Sequence, residues 1–435
     1  MKTNLPALKV DEGGRYLVRQ DGSPFFWLGD TAWELLHRLT LKETKFYFQN
    51  RIDKGFTIIQ TVLLAELDGL NIPNANGDLP LTDLDPTQPN EAYFSHVDQV
   101  IRLAAEMGVY LALLPTWGDK FNQKWGKGPE IFTPSNAKDY GAFLARRYAK
   151  YTHIIWVLGG DRLPQDAEDT SIIEQMAEGL RTFDPESLIT YHPGGGVIAS
   201  DLFEKADWLQ VDMFQSRHQK KFKEYRFVRK ARNRQPVRPV INGEPGYENI
   251  PNLLNKWHFQ RLEASDVRLA AYWSMLSGAA GHTYGCNEVW QMHAAGRDPL
   301  FGAKMSWDKA LDLPGAGQMG ILRKILESLP WQQMKPSQEL IAGIKWPFPA
   351  IKVAMATLDK SCILAYLPGG NKIKLKLKKS ELNQRKAYWI DPRNGEVSAI
   401  KDKPYKVFNA PNRLQDWLLL VLSAEQLNHW NYPRS

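Results

Sequence analysis

Two carboxylic acids follow apolar runs that lie far apart in the sequence, and each has glycines beside it. Asp161 stands in WVLGGDR (156–162), and Glu244 stands in INGEPGYE (241–248). Glycine lets the backbone and a ligand approach closely, which suits the floor of a binding site. Two carboxyl groups that face each other across a sugar can cleave a glycosidic bond: one protonates the leaving oxygen, and the other attacks or stabilises the anomeric carbon. A salt bridge or a helix N-cap is the alternative for either acid alone.

The elements around these acids predict an α/β fold, a (β/α)8 TIM barrel. Short apolar runs alternate with amphipathic stretches, and the runs lie at 25–28, 56–64, 109–114, 153–158, 188–191, 208–213, 239–242 and 279–284. Eight strands joined by helical crossovers close a parallel barrel. The rival, an open doubly wound sheet, lacks a G-x-G-x-x-G motif after the first run. Because the strand ends of a barrel share one face, Asp161 after strand four and Glu244 after strand seven should face each other.

Helix boundary signals support this alternation. Thr40 and Glu43 fit a capping box that opens the first helix. Ser95 and Ser265 fit the N-caps of two later helices, and Gly108 fits the end of the helix that follows Ser95.

The pattern changes after Pro330 and predicts a second domain. Short β-rich runs, among them 341–346, 351–358, 362–367, 372–378, 386–390 and 417–422, are separated by turn residues. This spacing is typical of an antiparallel β-sandwich. We therefore predict a catalytic domain over 1–335 and a C-terminal β-sandwich domain over 336–435. Since no low-complexity linker separates them, we expect the two domains to share a firm interface.

Composition limits the partners of the protein. The net charge of +7 comes largely from 217–238 and from 372–379. In the second segment lysines alternate with Ile and Leu, which predicts a half-buried strand whose lysines face water. The first segment predicts the solvated face of a helix, with a rim for an anionic polysaccharide such as pectin as the alternative. We expect no nucleic-acid partner, because the net charge is the only feature of the sequence that favours one.

The chain shows no targeting signal. Its first residues lack an apolar run and a cleavage site, and no apolar run approaches the ~18 residues of a membrane span. We expect no membrane contact and a cytoplasmic location, or a periplasmic or secreted one if a signal has been removed. Cys286 and Cys362 form no motif, and no His/Cys cluster has metal-ligand spacing, so we expect neither a metal nor a cofactor.

The chain resembles glycoside hydrolase family 140, the apiosidase-like hydrolases. The resemblance runs through FFWLGDTAWELLHRLT (25–40), TWGDKF (116–121), WVLGGDR, INGEPGYE and YWSMLSGAAGHTYGCNEVW (272–290), and AYLPGG (365–370) and YWIDPRNGE (388–396) resemble that family's C-terminal collagen-binding-type domain. It implies a retaining hydrolase that removes apiose from plant pectin, with Asp161 as acid/base and Glu244 as nucleophile. Related barrels place Asn-Glu at the end of strand four. Here Gly160-Asp161 stands there, so the shorter Asp161 must be pushed inward or the sugar must sit closer.

Further residues at the expected catalytic face could bind the sugar. Carboxylates suit vicinal hydroxyls and tryptophans suit stacking on sugar rings. The candidates are Asp30, Trp33, Trp117, Asp119, His192, Gln215, Tyr247, His282, Tyr284 and Trp290. A structural role is the alternative for the two histidines.

Two other functions fit the same sequence features. One is another retaining activity on this barrel, such as an arabinosidase, xylosidase or endoglucanase. The other is a carbohydrate-binding protein without catalysis, which the presence of both acids disfavours. In each case the partner is a carbohydrate, and the sequence leaves the oligomeric state open.

Overall fold

The computed structural model describes residues 5–255, 260–343, 351–401 and 407–432. A small antiparallel sheet comes first, formed by β1 (Leu8–Val10), β2 (Leu17–Arg19) and β3 (Pro24–Phe25). This sheet lies where the strands of the barrel described next begin. The ring centroids of Phe25 and Tyr110 are 4.8 Å apart, and the Tyr110 hydroxyl donates to the Pro6 carbonyl.

Eight parallel strands follow and form a nearly closed barrel. They are β4 (Trp27–Thr31), β5 (Ile58–Leu64), β6 (Tyr110–Thr116), β7 (Ile154–Arg162), β8 (Ile189–Pro193), β9 (Asp212–Gln215), β10 (Val240–Glu244) and β11 (Gly281–Tyr284). Their order is β8-β7-β6-β5-β4-β11-β10-β9. Across the remaining gap, the Gln210 amide donates to the Ile189 carbonyl at 3.0 Å. The predicted barrel is confirmed.

The strands coincide with the apolar runs because a parallel barrel strand is covered on both faces. Every residue of β5 and of β6 is buried. The sixth strand departs most from its predicted run, 208–213. Trp208, Leu209 and Val211 are buried, but they lead into the strand rather than form it.

Helices surround the barrel. They are α1 (Leu35–Arg38), α2 (Leu41–Asp53), α3 (Glu91–Met107), α4 (Pro134–Tyr148), α5 (Ala167–Phe183), α6 (Ser200–Phe203), α7 (Glu224–Arg232), α8 (Ala264–Met275), α9 (Asn287–Trp290), α10 (Trp307–Ala310) and α11 (Pro314–Glu327). Short 3-10 turns lie at Gly118–Lys120, Asn252–Leu254, Leu300–Gly302, Trp331–Gln333 and Gln338–Leu340. No helix in the described ranges has the length and apolar character that crossing a membrane requires.

The helix boundaries confirm some of the sequence signals and correct others. The Thr40–Glu43 capping box is formed, and Gly108 ends α3 with a φ of 82°. The Ser95 prediction is wrong: α3 begins one turn earlier because the Asn90 side chain accepts the Ala92 amide. The Ser265 prediction is wrong as well, since Glu263 and Asp266 cap each other's backbone amides. Within 217–238, only α7 is helical.

The C-terminal part is antiparallel, as predicted. A six-stranded sheet has the order β12 (Lys335–Pro336), β13 (Val353–Ala356), β14 (Cys362–Leu367), β19 (Trp417–Ser423), β16 (Arg385–Ile390) and β17 (Val397–Ala399). A second layer consists of β15 (Lys372–Lys374) paired with β18 (Val407–Asn409), and α12 (Lys379–Asn383) and α13 (Ala424–His429) complete this part. Residues 344–346 of the predicted run 341–346 lie outside the described residues. The domain boundary between 335 and 336 falls within β12 and stays a prediction.

Strand alternation gives the six-stranded sheet two buried faces. Leu364 and Leu420 face the barrel and belong to its core, whereas Ile363 and Val421 face a second, smaller core. Ile373, Leu375 and Leu377 cover that smaller core from the other layer, and the lysines between them are exposed, as the alternation predicted.

A buried ion pair joins the sheet to the barrel. The Arg268 guanidinium of α8 donates to both carboxylate oxygens of Asp416, at 2.8 and 2.7 Å, and the two side chains are 5% and 8% exposed. Beside them the rings of Tyr272 and Tyr366 stack at 4.7 Å. The expected firm interface is present.

Removing one partner of this ion pair should destabilise the fold strongly. Arg268→Met leaves the Asp416 carboxylate buried without its cation, which costs about 3–5 kcal/mol. We expect a clearly lower denaturation midpoint in urea, followed by circular dichroism. Lys138→Met is the matched control, since Lys138 and its partner Glu178 are 43% and 53% exposed, and it should leave the midpoint unchanged. Equal midpoints for both variants would show that the ion pair does not hold the interface.

Candidate active site

The carboxyl ends of the barrel strands surround one cavity of about 750 Å³. Seven of the residues predicted from the sequence line it: Trp33, Trp117, Asp161, Gln215, Glu244, Tyr247 and Trp290. They come from six different strand ends or the loops that follow them, so the barrel gathers residues that the sequence separates.

Asp161 reaches the cavity through a bulge at the end of β7. The pairing register with β8 shifts between Gly159 and Arg162, and Gly159, Gly160 and Asp161 have φ values of 94°, 99° and 55°. A Cβ at Gly159 would lie 2.6 Å from the His192 carbonyl, and one at Gly160 would lie 2.7 Å from the Gly118 nitrogen. The two glycines are therefore required by the bulge, which extends the short Asp161 side chain toward the cavity.

Glu244 ends β10 at a second register shift, between Asn242 and Glu244. A chain of side chains inside the barrel holds this point: Trp27 Nε1 donates to Thr283 Oγ1 at 3.1 Å, and Thr283 donates to Gln60 Oε1 at 3.2 Å. Gln60 Nε2 then donates to the Gly243 carbonyl at 2.8 Å. The backbone next to Glu244 is thus hydrogen-bonded to the barrel interior.

One histidine contacts both acids. The backbone amide of Asp161 donates to Nδ1 of His192 at 3.0 Å, so the ring proton of neutral His192 is on Nε2. Nε2 lies 2.8 Å from Glu244 Oε2, a close polar contact whose angle is poorer than that of a linear hydrogen bond. His192 is fully buried between the rings of Trp33 and Trp117, which lie 5.3 and 5.9 Å from its own. It therefore orients the two acids from beneath the cavity.

The other oxygen of Glu244 has its own donors. The Tyr247 hydroxyl donates to Oε1 and accepts from Trp33 Nε1 at 2.9 Å. His218 Nε2 lies 3.6 Å from the same oxygen. Donors around a carboxylate favour its charged form.

These surroundings give the two acids different pKa values. Burial raises the pKa of Asp161 to about 6, and the negative charge of Glu244 adds to the rise. Burial alone would raise the pKa of Glu244 too, but the close contacts of His192 and His218 with its carboxylate outweigh burial and lower the pKa to about 2. Between these values Glu244 is ionised and Asp161 is protonated, which is the division of labour that acid and nucleophile need.

Asp30, His282 and Tyr284 were predicted at the sugar, but the structure places them outside the cavity lining. Asp30 is fully buried, accepts from Arg51 Nε at 2.6 Å and also accepts from the Tyr47 hydroxyl. The Tyr284 hydroxyl donates to Glu248 at 2.5 Å. His282 is fully buried, burial lowers its pKa to about 3, and neither ring nitrogen has a partner among the described residues.

Asp119 also lies outside the lining, but it organises a loop of the cavity. Its Oδ2 accepts the backbone amides of Lys127 and Gly128 at 2.9 and 2.8 Å, and Lys120 pairs with it at 2.8 Å. This loop carries Trp125, whose Nε1 donates to Asp161 Oδ2 at 3.0 Å. Asp119 thereby positions a neighbour of the acid.

The structure adds lining residues beyond the predicted sugar-binding set. Glu66 follows β5 directly, so its strand-end position was a signal for it; burial and the negative charges of Asp119 and Asp161 raise its pKa well above the usual value. Arg217 and His218 lie just after the end of β9 and so also had a strand-end position, whereas Trp125 lies on a loop without that signal. The remaining additions are Gly126, Lys127, Gly195 and Ser216, together with the apolar Leu67, Ile250, Leu253, Leu254, Leu300 and Phe301. Within the described ranges, no three His, Cys, Asp or Glu side chains are grouped as metal ligands.

Comparisons with known proteins show similarity over nearly the whole chain. A family model described as "Apiosidase-like, catalytic domain" matches residues 11–333, and a model described as "Putative collagen-binding domain of a collagenase" matches residues 336–422. A solved structure titled "Glycoside hydrolase" is 30% identical, with 97% of each chain covered and a TM-score of 0.87. A glycoside hydrolase family 5 protein from Bacteroides vulgatus ATCC 8482 is also 30% identical, with 96% of this chain and 94% of that chain covered and a TM-score of 0.87.

More distant similarity concerns the fold alone. The endo-beta-1,4-mannanase from Thermotoga petrophila is 13% identical, with 94% of this chain and 93% of that chain covered and a TM-score of 0.50. No curated protein sequence matches the chain significantly.

Weakening the Asp119 contacts should loosen the Trp125 loop. In Asp119→Asn the loop amides lose a charged acceptor, and hydrogen bonds to charged groups contribute about 1.5–3 kcal/mol each. We expect kcat/KM to fall about tenfold or more, mainly through a higher KM, because the acids themselves are unchanged. The measurement is steady-state kinetics on any glycoside that the protein cleaves.

Asp85→Asn is the control for this loop. Asp85 accepts the Thr87 amide at 2.8 Å in an exposed turn outside the cavity lining. It should leave both kinetic constants unchanged. A normal KM for Asp119→Asn would show that the loop does not depend on this carboxylate.

Proposed function

The chain belongs to the family of apiosidase-like catalytic domains and is a glycoside hydrolase of the TIM-barrel type, and from this premise we propose that it is a retaining enzyme of glycoside hydrolase family 140 that releases apiose from pectic side chains or other apiosides. The observation that supports a two-carboxylate mechanism is the pair of acids in one cavity with opposite protonation, the pKa of Glu244 being lowered to about 2 and that of Asp161 raised to about 6. The bridging position of His192 between the two acids supports the retaining form.

In the first step the Glu244 carboxylate attacks the anomeric carbon, and the bond to the leaving oxygen breaks. Asp161 gives its proton to that oxygen, so the aglycone leaves as a neutral alcohol. The Tyr247 hydroxyl and Trp33 Nε1 hold the attacking carboxylate in one orientation. His192, which contacts Glu244 and the Asp161 amide, favours the short carboxyl separation of about 5 Å that retaining enzymes have.

In the second step water replaces Glu244 at the anomeric carbon. Once Glu244 is an ester its negative charge is gone, so one cause of the raised pKa of Asp161 is removed. The Asp161 carboxylate then takes a proton from the attacking water, and both acids return to their first protonation states. Two displacements at one carbon give net retention.

The identity of the sugar rests on the family description. A release assay with apiose-containing pectic oligosaccharides and aryl apiosides, with identification of the monosaccharide, tests it directly. Arabinosides, xylosides and β-glucans belong in the same panel. Release of one of these instead of apiose would keep the mechanism and replace the substrate, whereas binding without any release would favour a non-catalytic role.

The division of roles predicts the behaviour of two variants on an activated aryl glycoside. In Asp161→Ala, formation of the glycosyl-enzyme should stay fast, because a phenolate needs little protonation, while its hydrolysis should slow by orders of magnitude. Azide should restore turnover and give a glycosyl azide with the configuration of the substrate, identified by NMR. Glu244→Gln should lose activity by orders of magnitude with or without azide and still fold. A product of inverted configuration would remove Glu244 from the nucleophile role.

The pKa values also predict a pH profile. Asp161 must be protonated to act as an acid, and its pKa is raised to about 6, so kcat/KM should fall tenfold per unit above about pH 6. Glu244 must be ionised, and its lowered pKa places the acid limb at much lower pH. The profile should be measured with an alkyl glycoside, whose leaving group needs the proton. A rate that stays constant to pH 8 on this substrate would contradict the acid role of Asp161.

A further inference from the structure

One side of the cavity mouth is apolar and partly exposed. Ile250, Leu253, Leu254, Leu300 and Phe301, here called the apolar rim, line the same cavity as the two acids. Leu253 is 55% exposed, Leu254 40% and Phe301 38%. A contiguous exposed apolar patch beside a binding site marks a surface that is covered when the ligand is bound.

The backbone of the rim is held in an unfavourable conformation. Leu253, Leu254 and Phe301 have φ values of 61°, 56° and 46°, in the left-handed region that side chains of this kind rarely adopt. Residues of this type are retained where the surrounding structure holds them for binding. Here the Leu253 amide donates to the His218 carbonyl at 2.7 Å, and the Arg261 guanidinium donates to the Asn249 carbonyl and, at 2.6 Å, to the Gly302 carbonyl. Arg261 thus joins the two segments that carry the rim.

Aromatic rings connect the rim to the candidate nucleophile. The Tyr247 hydroxyl donates to Glu244, and the Tyr247 ring lies 6.5 Å from that of Trp290. Trp290 lies 6.4 Å from the exposed ring of Phe301. The apolar rim is thus continuous with the aromatic wall of the cavity beside Glu244.

We propose that the apolar rim is a subsite for a planar, apolar aglycone. This rests on the proposed function only in that the cavity holds a glycoside. Rim side chains offer no hydrogen-bonding group, so a second sugar placed against them would lose water from its hydroxyls without a replacement. An aromatic aglycone loses no such bonds, stacks on Phe301 and Trp290, and covers Leu253 and Leu254. The rival occupant is an acidic sugar of pectin, held by Arg217 and Lys127, which line the same cavity.

The test compares two substrates that carry the same sugar. One is 2-naphthyl apioside, and the other is apiose linked to a galacturonate oligosaccharide. In the double variant Leu253→Ser/Phe301→Ser, kcat/KM for the naphthyl substrate should fall about tenfold or more relative to kcat/KM for the galacturonate, since each buried apolar side chain is worth about that factor. Comparing the naphthyl-to-galacturonate ratio of the variant with that of the wild type cancels the difference in leaving-group reactivity between the two substrates. The control Leu414→Ser removes a leucine that is 92% exposed in the C-terminal domain and should leave the ratio unchanged.

A binding measurement separates this inference from the proposed function. Calorimetry with 2-naphthol needs no turnover: the wild type should bind it, and the double variant should bind it at least tenfold more weakly. If neither substrate is cleaved but 2-naphthol binds in this way, the apiosidase proposal fails and the rim subsite stands. If 2-naphthol binds both proteins equally, or if the galacturonate is preferred and only Arg217→Gln reduces its cleavage, the apolar subsite is wrong.

Discussion

Asp161 and Glu244 share one cavity that is lined by tryptophan rings. In this partly apolar cavity the negative charge of one carboxylate disfavours ionisation of the other. Burial disfavours ionisation of both, so donors decide which acid is charged. Glu244 has the Tyr247 hydroxyl on one oxygen and His192 near the other. Among the described residues, the Asp161 carboxylate has the single indole donor of Trp125. This imbalance, rather than any difference between Asp and Glu as residue types, decides which of the two acids is ionised.

This difference in hydrogen-bond donors depends on the backbone positions of Asp161 and Glu244. Each acid lies at a register shift of its strand, where the backbone leaves the regular ladder. A regular β7 would not need φ values of 94° and 99° at Gly159 and Gly160. His192 then connects the two shifts, since its ring accepts the Asp161 amide and approaches Glu244. Because His192 is fully buried and enclosed by Trp33 and Trp117, a movement of either acid would disturb the other.

The sequence predicted the barrel, and with it the meeting of Asp161 and Glu244 in one cavity, because strand periodicity and strand-end position are local properties. Glycines beside Asp161 were a correct signal of an unusual backbone, although the bulge itself appears only with β8 in place. Asp30 shows where strand-end position fails to predict a binding residue. It follows the first apolar run, but it forms a buried ion pair with Arg51 of α2. Leu253 and Phe301 had no signal, because exposed apolar residues in irregular segments gain meaning only from the cavity that they border.

The C-terminal domain is connected to the strand that carries Glu244 through a single helix, α8. Asp416 pairs with Arg268 of α8, and the Tyr366 ring stacks on Tyr272 of the same helix. On the inner face of α8, the Ser274 hydroxyl accepts a hydrogen bond from the Asn242 side-chain amide at 3.2 Å. Asn242 lies on β10, two residues before Glu244. The path from the sheet to the strand of Glu244 therefore consists of one ion pair, one helix and one hydrogen bond. A domain that contributes none of the described lining residues is in this way still in contact with the helix that packs against the strand of Glu244.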